Sequence, residues 1–199
     1  MRSFKIFEKS DNFVIDNNIL TPFIVGFIVA LYYINEKYYK IEIAKDILKP
    51  LIYLSCLTII FLLIYSYFWR EKLNGVFNGK LQILEDKIII KDRIIHLNEI
   101  EKIDLYVLDY YDNKIYRVYA TIAPNLSNGV DNYIELKLKT GETLKVNFEQ
   151  KYENEFVRDK EILINYYKNG LISFLRLTTL LNIEKYEEIQ ELKKTTANN

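Results

Sequence analysis

The chain has 199 residues with 27 basic and 27 acidic side chains, so its formal net charge is zero. That length accommodates one domain of ordinary size beside a smaller element. The charge balance excludes the basic footprint of a nucleic-acid binder, and a single cysteine, Cys56, excludes a disulfide framework.

Residues 1–17 read as a polar tail interrupted by the apolar patch Phe13-Val14-Ile15. Two uncharged apolar runs follow, Ile19 to Ile34 and Leu51 to Trp69. A bilayer core is about 30 Å thick and asks for roughly 20 apolar residues. The second run has 19 and meets this; the first has 16 and rises only about 24 Å. Both are apolar all round, whereas a core helix of a soluble protein keeps a polar face. The expectation is a transmembrane helical hairpin over 18–74, with Pro22 and Pro50 near the helix starts. Tyr32, Tyr33, Tyr67 and Trp69 stand at the borders, where amphipathic rings favour the headgroups. Residues 35–49 read either as an amphipathic continuation of the first helix or as a plain loop.

Lys and Arg bias sets orientation. Arg2, Lys5, Lys9, Arg70, Lys72 and Lys80 oppose Lys37, Lys40, Lys45 and Lys49. Six against four places both termini in the cytoplasm, giving a multi-pass protein of a bacterial inner membrane.

From Gly75 the period changes to two. Lys80 to Leu84, Lys87 to Lys91, Arg93 to Leu97 and Glu101 to Tyr110 read as strands joined by short polar turns, an antiparallel meander. Residues 111–131 begin as a possible strand and end in the turn residues Asn125-Leu-Ser-Asn-Gly. Asn132 to Leu138 and Thr143 to Phe148 form a hairpin around Thr140-Gly141-Glu142. A helix with Phe156, Ile162, Leu163, Tyr166 and Tyr167 on its stripe stops at Asn169-Gly170. The stretch Leu171 to Leu181 reads as core, partner-binding helix or membrane-surface segment. Asn182 is positioned to cap a last helix with Tyr186, Ile189 and Leu192.

Short strands in a meander closed by a C-terminal helix, with Ile94-Ile-His-Leu-Asn-Glu-Ile100-Glu-Lys-Ile103 leading into a long strand, resemble bacterial pleckstrin-homology-like domains behind a two-helix anchor. The resemblance covers residues 75–168 and leaves 169–199 as a helical extension. It implies an α+β chain: a transmembrane hairpin, then a pleckstrin-homology-like antiparallel β-barrel with C-terminal helices. Two departures stand against inositide binding and the family's usual closing helix. The first hairpin turn is Glu85-Asp86, flanked only by Lys80 and Lys87, and the sole tryptophan, Trp69, lies outside the domain.

Reactive chemistry is sparse. His96 alternates with apolar neighbours and has no cysteine near it, so it reads as a strand histidine rather than a zinc ligand or base. The six glycines form no phosphate loop. Asp104, Asp109, Asp112 and Asp131 read as a solvated edge, with a weak cation site as the alternative. No catalytic, cofactor or metal residues are assigned. Tyr106, Tyr110, Tyr111, Tyr116, Tyr119 and Tyr133 are the candidate interaction surface, because tyrosine brings area and a polar tip. The expected partners are a lipid bilayer and a protein. The expected role is a non-enzymatic interaction or scaffolding module. The alternatives are an accessory subunit of a transporter or sensor complex, or a metal-dependent enzyme using the acidic residues.

Overall fold

The computed structural model describes residues 2–11, 17–116 and 122–197. The chain forms two compact units. One comprises Met1–Ser10, Leu73–Asn113 and Ser127–Asn199; the other comprises Asp11–Lys72 and Lys114–Leu126.

The first unit is built on a seven-stranded antiparallel sheet. Its strands are β1 (Arg2–Lys9), β2 (Gly75–Ile83), β3 (Lys87–Ile90), β4 (Arg93–His96), β5 (Ile100–Tyr106), β8 (Asn132–Leu138) and β9 (Thr143–Phe148). The shorter β6 (Tyr111–Lys114) and β7 (Leu126–Asn128) pair with each other. The order across the large sheet is β4-β3-β2-β1-β9-β8-β5. The expected polar tail is therefore the central strand. Phe4 and Ile6 alternate inward while Ser3 and Lys5 face out, which is the period a half-buried strand needs. Phe4 stacks on Phe156 with centroids 4.9 Å apart and tilts against Phe148 at 5.0 Å. Phe13-Val14-Ile15 lies outside the described residues.

The expected barrel does not close. β4 and β5 are joined by a single 3-10 turn, Leu97–Glu99, yet both are sheet edges with no ladder between them. The sheet still curves: Arg93 of β4 holds Glu142, beside the β8–β9 turn, through bonds of 2.6 and 2.7 Å. The outer edge of β5 is engaged elsewhere, because Ile103 N–H donates to the Leu171 carbonyl at 2.8 Å. Occupying an edge in this way satisfies backbone groups that a closing strand would have taken.

Three helices follow: α3 (Lys160–Lys168), α4 (Phe174–Leu180) and α5 (Tyr186–Ala197). Tyr166 of α3 is fully buried, and its hydroxyl donates to the Leu84 carbonyl at 2.6 Å. Gly170, at φ +72, ends α3 in the left-handed region that glycine enters without strain. Ser173 caps α4, its side chain accepting from Arg176 N–H. Leu171, Ile172, Leu177, Leu180, Leu181 and Leu192 belong to the same core cluster as Leu105 and Ile134. The stretch Leu171 to Leu181 is thus core, one of the three readings its sequence left open, and Leu192 of α5 packs into the same cluster.

The second unit contains α1 (Asn17–Ile34) and α2 (Glu42–Ser66), linked by a π-helical turn, Asn35–Tyr39, and Lys40 at φ 52. α2 starts well before Leu51, so Pro50 falls inside the helix. The buried Asn35 amide bonds both the N–H and the carbonyl of Ile41, and Lys45 pairs with Glu36 at 2.6 Å. Among the described residues, only α2 is long and apolar enough to cross a membrane. This overturns the two-helix transmembrane hairpin, since the uncharged run of α1 falls short of the bilayer core. The multi-pass inner-membrane placement with cytoplasmic termini required both helices and fails with it.

Candidate functional site

In the sheet unit, β5, β8 and β9 place alternate side chains on the outer face. Tyr106 faces Tyr133 across the β5–β8 ladder, and Tyr133 faces Asn147 of β9. The two tyrosine rings stack at 5.3 Å and 7°. Lys145 Nζ lies 3.8 Å from the Tyr133 ring centroid and 3.5 Å from Glu135 Oε2. At the side of this patch Arg176 pairs with Asp104 at 2.8 Å. The patch combines half-buried aromatic area with charges of both signs.

Tyr110 and Tyr111 sit one turn further along the chain. Tyr111 is exposed, and its backbone N–H donates to the Gln150 carbonyl at 3.0 Å. Tyr116 belongs to the helical unit and is 92% exposed. Tyr119 lies outside the described residues. Tyr106 and Tyr133 are the pair among these tyrosines whose rings stack.

The acidic residues separate by environment. Asp104 is paired with Arg176, and Asp131 accepts from Lys9 at 2.6 Å. Asp109 is buried instead of lying on a solvated edge. Its Oδ2 accepts from Ser127 Oγ at 2.7 Å and from Asp131 N–H at 3.0 Å. Asn132 completes the knot: its Oδ1 accepts from Asp109 N–H, and its amide donates to the carbonyls of Asp109 and Gly129. A buried polar group is stable only when it is paired in this way. Among the described residues, no group of three or more His, Cys, Asp or Glu side chains is placed to hold a metal ion.

A cavity of about 670 Å³ opens where β4 runs into β5, lined by Asp86, His96, Asn98, Glu101, Lys139 and Asn169 among others. Glu101 already accepts from Lys137 at 2.7 Å, so one carboxylate there is engaged. His96 enters this cavity as an exposed residue at the end of β4. Local strand periodicity carries no sign of the cavity, because the open seam that makes it arises from tertiary closure.

In the helical unit, α1 and α2 expose Phe23, Phe27, Ile43, Leu54, Leu57 and Phe61. The α2 segment suited to a membrane has a mean hydropathy of 2.3 and no buried residue. Of the four border aromatics, Tyr33, Tyr67 and Trp69 are exposed and Tyr32 is partly covered. Tyr67 and Trp69 lie just beyond the C-terminus of α2, and Tyr32 and Tyr33 lie in the last turn of α1. Comparison with protein-family profiles, curated proteins and solved structures gave no match to this chain.

Proposed function

We propose that this protein is a membrane-held interaction module, in which α2 inserts into a lipid bilayer and the sheet unit presents a binding surface to a protein partner. The observation that carries the reading is α2. Its 25 residues rise about 38 Å, and most of its apolar side chains are exposed, with Leu48, Ile52, Ile59 and Leu62 only partly covered. An uncovered apolar surface of that extent marks a lipid or protein contact.

β1 and β2 pair where the chain leaves the sheet unit and comes back to it. The chain leaves the sheet at Ser10 and returns at Asn74, with Ser10 N–H bonded to the Asn74 carbonyl at 3.0 Å. The binding role rests on the stacked Tyr106–Tyr133 pair and its charged surround, and on the absence of any catalytic motif in the sequence.

The test is flotation of the full chain with phospholipid vesicles, joined to crosslinking from a photoreactive residue at exposed Tyr111 in intact cells. Flotation with one discrete crosslinked species supports the reading. A chain that stays monodisperse in water without detergent, and does not float, overturns it.

A further inference from the structure

The α2 C-terminus does not stand alone. Asn125 N–H donates to the Ser66 carbonyl at 3.0 Å, Leu126 N–H to the Trp69 carbonyl at 3.1 Å, and Glu71 N–H to the Leu126 carbonyl at 2.9 Å. Ile115 N–H donates to the Asn125 carbonyl at 2.8 Å, which brings the other limb of the segment to the same place. Lys114 then reaches Tyr67: its Nζ donates to the hydroxyl at 2.8 Å and lies 5.0 Å from the ring centroid. Backbone bonds thus fix residues 114–116 beside the end of α2, the helix long and apolar enough to cross a membrane.

What gathers there is one kind of chemistry. Tyr67 is 51% exposed, Phe68 71%, Trp69 51% and Tyr116 92%. These rings are clustered where α2 gives way to polar sequence. Tyr and Trp favour this level of a bilayer because the ring body is apolar and the tip is polar. Lys114 adds an ammonium with three donors, of which Tyr67 takes one. An apolar protein groove would not ask for a cation held on an exposed tyrosine ring, whereas a layer of phosphates above acyl chains matches both the cation and the exposed rings.

We infer that Lys114 and Tyr116 join Tyr67, Phe68 and Trp69 in a collar that sits among the headgroups of a phospholipid bilayer, so that two stretches of chain distant in sequence make the interfacial contact. The inference rests on insertion of α2 proposed above and adds a second lipid-binding segment to it. The collar sets insertion depth: rings and ammonium stop the chain where α2 ends.

The experiment uses the full chain in phosphatidylcholine–phosphatidylglycerol vesicles. Trp69 is the only tryptophan, so quenching by brominated lipids reads its depth without substitution. A nitroxide at Tyr116→Cys, in a Cys56→Ser background, is read for collisions with oxygen and with a water-soluble nickel chelate, calibrated against labelled lipids. Quenched Trp69 emission, with loss of chelate collisions at position 116, is the expected result. Quenched Trp69 with a fully chelate-accessible label overturns the collar and leaves the anchor standing. Unquenched Trp69 in a chain that does not float overturns both. A label on so exposed a side chain leaves the fold intact, and Trp69 in the unsubstituted chain provides the control.

Discussion

Asp109 Oδ2 and Ser127 Oγ meet at 2.7 Å inside the sheet unit, joining the loop after β5 to β7 through two buried side chains. The same oxygen accepts from Asp131 N–H. Truncation leaves a buried hydroxyl and a backbone donor without their acceptor, at about 1–3 kcal/mol for each group left unpaired. Asp109→Ala is expected to lower unfolding free energy by about 3 kcal/mol. Asp109→Asn keeps an acceptor and is expected to lose about half as much. Urea titration of the two variants checks the order.

Gly129 and Gly141 separate space from backbone strain. Both have positive φ, +71 and +89. A Cβ at Gly129 would lie 2.2 Å from the Gln150 carbonyl oxygen and 2.6 Å from Tyr111 N, whereas one at Gly141 meets nothing within 4 Å. Gly141→Ala is expected to cost about 1 kcal/mol through left-handed strain alone. Gly129→Ala is expected to cost upward of about 3 kcal/mol, because backbone on both sides must move. Thermal denaturation of the pair distinguishes them.

Tyr166 gives the sheet unit an alkaline dependence. Burial pushes its hydroxyl above the ordinary value of 10.0, and the charges of Asp86 and Asp159 add to the shift. The folded state then retains a proton that the unfolded chain releases. Its stabilising contribution is full below about pH 10 and declines as pH rises beyond it, with a limiting slope of about 1.4 kcal/mol per pH unit. Tyr166→Phe is expected to flatten that decline. At neutral pH it is expected to cost about 1–2 kcal/mol, since the Leu84 carbonyl loses its donor. The difference between the two pH profiles isolates this group from the other tyrosines among the 17 in the chain.

A charge in the middle of α2 tests insertion separately from folding. Ile60 is exposed and lies in the apolar half of the helix. Ile60→Lys is expected to disfavour membrane insertion by about 2.5–3.5 kcal/mol. The reading is a smaller floated fraction with an unchanged urea midpoint for the sheet unit. A parallel fall in both would mean that Ile60 is a folding contact.

The β8–β9 hairpin was legible because alternation and Thr140-Gly141-Glu142 state the same register in adjacent residues. The structure has Asn132–Leu138 and Thr143–Phe148, the expected strands. β1 was not legible. Four of the eight residues in Arg2–Lys9 are charged, and its neighbours β2 and β9 lie far along the chain. A polar segment becomes a central strand only once two distant partners supply its ladder. The barrel expectation failed for a related reason. Strand count was visible, but whether β4 and β5 pair depends on Leu171 reaching Ile103 N–H. Asp109 looked like a surface carboxylate because burial by Ser127 and Asn132 is a tertiary event. The apolar hairpin was visible from composition, while the early start of α2 was hidden by Glu42, Lys45, Asp46 and Lys49 in its first turns.

The most direct test of the central claim uses Cys56, the only cysteine in the chain, exposed midway along α2. A membrane-impermeant maleimide reaches a thiol only from water. In vesicles carrying the unsubstituted protein, Cys56 is expected to remain unlabelled until the bilayer is dissolved in dodecyl sulfate, and then to label fully. Labelling at the rate of a free thiol with the vesicles intact would show α2 in water and contradict the account.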